Sequence, residues 1–370
     1  MSKKPDWMER FILTPGDPPN DGILFADLQS QDRSGHMGHA LVEYAPGCIL
    51  GFYPNCNTDN NGHSGKGWME FRRSEDNGKT WSEPEPLPYS KQLYDAQIGR
   101  TAMCEKAVLG SSGRIILFIL HCDMETSNSG KPEHLSLWEP YFEPAYIISD
   151  DGGHTWSEAK TFTTVRGRVY DVLYKDGAIY VLYFANPEDS NARVNGDPYQ
   201  LYVSSDNGET FTLRSELSFA NTKYCFYGTM EFLTDRSLIV YSYDMNDEHN
   251  LKYITSEDEG CTWQNSRRAY FAQRMRNPQL ACFGGEYFMH GRSGNIGELS
   301  GNFILYHSLD GINWDEGTFL RMREAGLGSY SNNIVTGSRF PGEKERLLIH
   351  SSHAYKKHKT NTLMWWLDKG

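Results

Sequence analysis

The stretch Ser74-Glu75-Asp76-Asn77-Gly78-Lys79-Thr80-Trp81 returns four more times along the chain: Ser149 to Trp156, Ser204 to Phe211, Ser256 to Trp263, and a shortened copy, Ser308 to Trp314. Successive copies start 75, 55, 52 and 52 residues apart. A motif repeated at near-constant spacing restricts a chain to stacked or radial copies of one supersecondary unit. The 370 residues therefore read as one repeat-built domain, although length alone suggests two. Within the motif each residue type has a structural task. The aspartate accepts backbone N–H bonds in the turn, the glycine supplies a positive φ, and the tryptophan packs between units. Nothing in it follows a calcium-loop ligand pattern.

The segments between motif copies read as short strands. Aromatic residues at 13% and 35 glycines suit such strands joined by tight turns. In the first unit Ala40–Tyr44 and Cys48–Tyr53 form a hairpin, Gly67–Phe71 follows, and then the motif. The paired inner strands recur as Ala102–Leu109 with Ile115–His121, Val169–Tyr174 with Ala178–Tyr183, and Phe226–Leu233 with Leu238–Tyr243. Gln279–Phe283 with Tyr287–His290 and Asn333–Thr336 with Leu347–His350 complete the set. Six hairpin units predict an all-β, six-bladed propeller over residues 22–370, preceded by an irregular, proline-rich arm at 1–21. The sixth unit ends with its third strand, Leu363–Leu367, and no motif follows. An unpaired strand edge is a liability, so the orphan strand Gly22–Leu28 is expected to close the ring as the outer strand of the last blade.

Charge and cysteine usage narrow the function. A net charge of -12 argues against a phosphate-binding surface, so nucleic acid is not an expected partner. No stretch has the make-up of a secretory leader, and no apolar run reaches about 18 residues. A soluble, cytoplasmic protein without membrane partners is the expectation. The seven cysteines are odd in number and lack CxxC spacing, as expected of reduced thiols rather than a disulfide framework or zinc site.

Five copies of this motif, the Asp-box, on six blades of this length resemble the sialidase superfamily of six-bladed propellers, and the likeness covers residues 22–370. The superfamily includes other glycosidases, lyases and non-catalytic relatives, so the box speaks for fold more than for activity. In a propeller the starts of the innermost strands and the ends of the second strands surround one central depression. Those positions are rich here in histidine, tyrosine, arginine and carboxylates. The resemblance places the nucleophilic tyrosine at Tyr330, in Tyr330-Ser-Asn-Asn333, and one arginine of the carboxylate-binding triad at Arg292, in His290-Gly-Arg-Ser293. It also implies arginines where this chain has His39 and Asp244, and a glutamate near Tyr227. One arginine is a poor substitute for a triad of charge-assisted bonds, so the departures argue against sialidase activity.

What remains suits other sugar chemistry. An unassisted phenol, of pKa about 10, reacts poorly at neutral pH. Asp171, Glu231 and Asp244 are therefore the expected proton-accepting partners of Tyr330. Asp59 occupies the loop in which the resemblance expects the general acid, though a solvated turn aspartate is the plainer reading. His121, Asp123, Tyr227, His290, His350 and Asn55, with Arg292 and Arg276, are the expected sugar-binding groups. A lyase on uronic-acid-containing glycans would use His39 or Tyr330 as base and Arg292 and Arg276 to neutralise the acid group. His290, His350 and His353 suit sugar hydroxyls better than a metal, and no metal or cofactor is expected. The expected function is an exo-acting glycoside hydrolase on a small oligosaccharide, with the lyase and a non-catalytic glycan-binding propeller as alternatives.

Overall fold

The computed structural model describes residues 4–57, 66–97, 100–123, 141–185, 199–221, 224–294, 302–322, 329–356 and 359–370. Its strands form six antiparallel sheets, each built outward from one innermost strand. In chain order the innermost strands are Ala40–Ala45, Arg100–Leu109, Gly167–Lys175, Cys225–Phe232, Arg276–Phe283 and Ser331–Thr336. Each lies against the next, and the sixth lies against the first, so the sheets are the six blades of a closed propeller. Apolar residues of neighbouring blades fill the seams. The largest cluster joins blades three, four and five, and a second joins blades one and two.

The repeated motif forms the same turn in every copy. In the first, the Ser74 hydroxyl donates to Asp76 Oδ1 at 2.9 Å and accepts from the Gly78 N–H at 2.8 Å. The Thr80 N–H and hydroxyl donate to the two Asp76 oxygens at 2.8 and 2.6 Å. These donors, Thr80 first, hold the Asp76 carboxyl down at about 2. In the shortened copy Asn313 replaces the threonine and donates through its N–H and side-chain amide to Asp310 at 2.7 and 2.6 Å. The glycine is required twice over. Gly260 has φ of 87°, and a Cβ there would meet Leu201 of the preceding blade at 2.2 Å. The motif aromatics enter the seams as expected: Trp156 packs edge-on against Phe52 of blade one, and Trp314 stacks on Phe271 of blade four.

Closure differs from expectation in one respect. Ile23–Ala26 pairs with the last strand, Lys359–Lys369, as the orphan-strand argument requires. The arm before it is not irregular throughout, however: Phe11–Thr14 pairs with the same edge, Phe11 opposite Lys369 and Thr14 opposite Trp366. Alternation supplies the reason. Phe11 and Leu13 are buried and Ile12 and Thr14 exposed, and Phe11 packs on Phe283 and Phe288 of blade five. Trp7 is buried beside them, 5.8 Å from the Phe288 ring. The sixth blade thus borrows two strands from the N-terminal region, which clamps first and last segments together.

Candidate active site

Five innermost strands carry a bulge, in blade one at Tyr44 and in the next four at the depression. The pairing register skips Glu105 in blade two, Tyr170 in blade three and Tyr227 in blade four, and slips between Arg276 and Gln279 in blade five. A bulged residue is left out of the ladder and re-aimed. Glu105, Tyr170 and Tyr227, with Asn277 of the blade-five bulge, line one axial depression of about 50 Å³. Tyr227 and Asn277 adopt left-handed φ of 48° and 52°, and Ser329, beside Tyr330, has φ of 62°. Left-handed backbone at a tyrosine costs energy that the surrounding packing must offset.

Lys106 forms the floor. Its ammonium reaches across the axis to Asp171 Oδ1 at 2.9 Å, Gln279 Oε1 at 2.5 Å and Asn332 Oδ1 at 2.6 Å, joining blades two, three, five and six. Asp171 also accepts from the Val172 N–H, the Thr229 hydroxyl and the Met230 N–H at 2.9, 2.7 and 2.9 Å. With Lys106 these are four donors for the roughly four acceptor positions of a carboxylate. Asp171 is therefore an anchor of the floor, with no acceptor position left for a phenol.

The wall opposite holds a buried ion pair, Arg168 donating through NH2 to Glu105, with side chains only 6% and 3% exposed. The Tyr227, Tyr170 and Tyr141 rings surround the guanidinium at 5.0, 5.4 and 5.7 Å. Burial opposes the Arg168 charge, but Glu105 and these phenols more than offset it and hold the group well above the ordinary arginine value. The Tyr227 hydroxyl lies 3.5 Å from Arg168 NH1 and 3.3 Å from the Tyr330 hydroxyl. Tyr227 also stacks on Tyr243 with 15° between ring planes. Tyr330 is buried, meets the His36 ring edge-on at 4.9 Å, and lies beneath the half-buried Arg292 guanidinium, 5.9 Å from the ring centre.

Of the residues singled out from sequence, Tyr330, Tyr227 and His39 line the depression, with Arg292 beside Tyr330. Burial pushes His39 down to about 4, so it is neutral at physiological pH. Arg276 lies directly opposite Arg292 in blade five, is bonded to Glu248 at 2.5 Å, and covers the Tyr243 ring. The others are placed elsewhere. Glu231 is four residues beyond Tyr227, roughly 13 Å along the strand, where it accepts from the Phe232 and Cys282 N–H groups. Burial raises it to about 7. Asp244 is held by the buried Lys252 at 2.8 Å. His290, pushed down to about 3 by burial, accepts from the Asn333 amide at 2.9 Å and lies 3.0 Å from the Ser331 hydroxyl. His350 faces Phe25 at the seam with blade one, whereas His353 lies between Phe303 and Trp365, so these histidines do not converge. Asn55 belongs to a cluster in blade one, bonded to Arg33 at 2.6 Å and Glu70 at 2.8 Å. His121 is bonded to Tyr89 at 3.0 Å. Asp123 pairs through its backbone with Arg100, its side chain lying outside the described residues, as does Asp59.

Sequence reasoning missed Arg168 and Lys106. Lys106 follows the bulge at Glu105, which turns the residues after it to the opposite face, so simple alternation misplaces it. Arg168 lies one residue before Val169, where the strand was expected to begin. The available signal was charge itself: an arginine and a lysine inside otherwise apolar inner strands need partners if buried.

No protein-family model matches the chain. A sialidase of Paraclostridium sordellii is 25% identical over 207 residues, covering 52% of this chain and 48% of that protein. A sialidase of Clostridium perfringens is 28% identical over 214 residues, 52% of this chain and 51% of that protein. The match thus spans about half the length of each curated relative. Among solved structures, a Dyadobacter fermentans protein of unknown function superposes with TM-score 0.69 at 13% identity, over 96% of this chain and 100% of that one. A Hadza microbial sialidase gives 0.65 at 15% identity, over 94% of this chain and 68% of that one. The intramolecular trans-sialidase of Ruminococcus gnavus gives 0.62 at 12% identity, over 96% of this chain and 98% of that one. Taken with the six closed blades and the five recurring turns, these likenesses identify the chain as a divergent sialidase-like propeller.

Proposed function

We propose that the axial depression cleaves glycosidic bonds, as an exo-acting glycoside hydrolase on a small oligosaccharide, with Tyr330 as nucleophile. The observation that carries this reading is the Tyr330 hydroxyl 3.3 Å from the Tyr227 hydroxyl, which is itself 3.5 Å from the Arg168 guanidinium. A nearby cation favours the phenolate form, and a phenol of ordinary pKa about 10 needs that help near neutrality. Tyr227, in the phenolate form that the adjacent Arg168 guanidinium favours, takes the Tyr330 proton as the Tyr330 oxygen bonds to the anomeric carbon. The bond to the leaving oxygen breaks, and that oxygen takes a proton from an acid. Water then bonds to the anomeric carbon, giving its proton to the deprotonated acid, and Tyr330 leaves, taking its proton back from Tyr227. Asp59 is the acid that the sequence suggests.

Sialic acid is not the favoured substrate. His39, neutral at physiological pH, has no charge to offer a carboxylate where an arginine is expected, and Asp244 is engaged by Lys252. Arg292 is the cation left beside Tyr330, suited to one acidic group at the rim. The floor formed by Lys106 with Asp171, Gln279 and Asn332 closes the depression below, which favours the end of a chain over its interior. Seven free thiols, with Cys261 exposed, support a reducing, cytoplasmic setting. His39 also supports the lyase reading, as a neutral imidazole whose buried Nδ1 has no hydrogen-bond partner among the described residues. Mass analysis of products from an oligosaccharide panel separates the readings. Hydrolysis adds water across the cleaved bond and is lost in Tyr330→Phe. Elimination instead gives an ultraviolet-absorbing unsaturated sugar, and binding without turnover marks a non-catalytic propeller.

A further inference from the structure

Three buried polar side chains lining the depression lack hydrogen-bond partners among the described residues. They are Asn277 of blade five, at both its amide oxygen and nitrogen, Arg168 of blade three at Nε, and His39 of blade one at Nδ1. Asn277, Arg168 and His39 are 4%, 5% and 4% exposed, so solvent does not freely satisfy them. Folded proteins rarely leave such groups unmade, and three converging on one cavity from three blades call for a ligand that completes them. Asn277 sits at a bulge with φ of 52°, a conformation that costs asparagine little but holds its amide at the depression rather than in the sheet.

The charges nearby are already balanced. Arg168 is paired with Glu105, Lys106 with Asp171, and His39 is neutral at physiological pH. A carboxylate set against Arg168 would lie close to the Glu105 carboxylate. The atoms that meet these three groups are therefore neutral and both donate and accept, as sugar hydroxyls do.

Resting on the reading that the depression takes a sugar, we infer that Asn277, Arg168 and His39 read adjacent neutral hydroxyls of the terminal sugar, with Asn277 the main determinant of which sugar is accepted. Any acidic group of the substrate lies outward, toward Arg292.

Asn277→Gly tests this, because glycine keeps the left-handed backbone at no steric cost and removes only the amide. Galactose, glucose, N-acetylglucosamine and glucuronic acid serve as calorimetric probes of the full chain at low and high salt. Turnover is measured on the best oligosaccharide of the panel. The expected result is an unchanged denaturation midpoint, a fall in kcat/KM of about 10- to 100-fold, and a matching loss of affinity for a neutral sugar, little affected by salt. Asn277→Asp, of the same shape, should also lose affinity. Wild-type kcat/KM and affinity in Asn277→Gly would overturn the inference while leaving the hydrolase reading intact, as would salt-sensitive binding of glucuronic acid alone. Asn277-dependent binding of a neutral sugar without turnover would sustain the inference and end the hydrolase reading. Failure to bind any sugar would end both.

Discussion

Glu105→Gln should destabilise the protein far more than a typical single substitution. It removes the carboxylate from a pair whose side chains are 3% and 6% exposed, leaving Arg168 charged among three tyrosine rings. Breaking a buried pair by removing one partner costs about 3–5 kcal/mol, a large part of a total stability of about 5–15 kcal/mol. Arg168→Met should cost a similar amount by stranding Glu105. The double variant Glu105→Leu/Arg168→Met buries no charge and should cost no more than about 2 kcal/mol, because apolar replacements of buried pairs are often near neutral. Urea unfolding followed by tryptophan fluorescence measures all three, with equal denaturant slopes as the check on comparability. Additive single costs, or singles below about 1 kcal/mol, would refute the view that this pair is dry and mutually dependent. The double variant should also be folded but inactive, which separates the pair's part in the site from its part in stability.

The fold and the buried histidines lead to further expectations. Starting the chain at residue 22 removes Trp7, Phe11 and Leu13, all buried, and should cost about 5–9 kcal/mol, whereas an arm outside the core would leave the unfolding midpoint unchanged. Phe11→Ala alone should cost about 3–5 kcal/mol. Gly260→Ala should cost about 2–5 kcal/mol without altering KM, since its Cβ would meet Leu201 at the end of the blade away from the depression. His39 and His290, lowered to about 4 and 3 from an ordinary 6.5, stay neutral in the fold while the unfolded chain takes up protons below about pH 6.5. Stability is then lost as pH falls. Glu231, raised to about 7 from 4.5, acts in the opposite sense, keeping in the fold a proton that the unfolded chain releases. Between pH 6 and 5 the net of these three groups is a loss of about 1.2 kcal/mol per pH unit, and His350 and His353, also lowered by burial, add to it. Stability that is flat or rising as pH falls through this window would contradict those burials.

Blade count and strand order were legible because they depend on periodic signals: the returning turn, and hairpins bounded by glycine. The closing strand Ile23–Ala26 was legible from the demand that a ring have no open edge. Its companion Phe11–Thr14 was not, since two buried residues, Phe11 and Leu13, alternate beside a run of prolines that reads as loop. At the site, Tyr227 was legible as an inner-strand start and Tyr330 as the position that the resemblance marks, and both line the depression. Glu231 and Asp171 look catalytic only if strands run unbroken. The bulges at Tyr227 and Tyr170 re-aim the side chains beyond them, placing Glu231 away from the depression and sinking Asp171 into the floor. Lys106 escaped notice because it follows the bulge at Glu105, and Arg168 because it precedes the expected strand start. Their partners lie in other blades or on a neighbouring strand, so charge in an apolar setting was the one signal the sequence offered.

Attack of Tyr330 on the sugar is the step on which the proposed hydrolysis depends. It is tested most directly by acid-quenching the protein during turnover of its best oligosaccharide and locating any glycosyl adduct by peptide mass spectrometry. One added sugar residue is expected on the peptide containing Tyr330, absent in Tyr330→Phe. Turnover with the adduct on a carboxylate instead, or with no adduct and an unsaturated product, would contradict it.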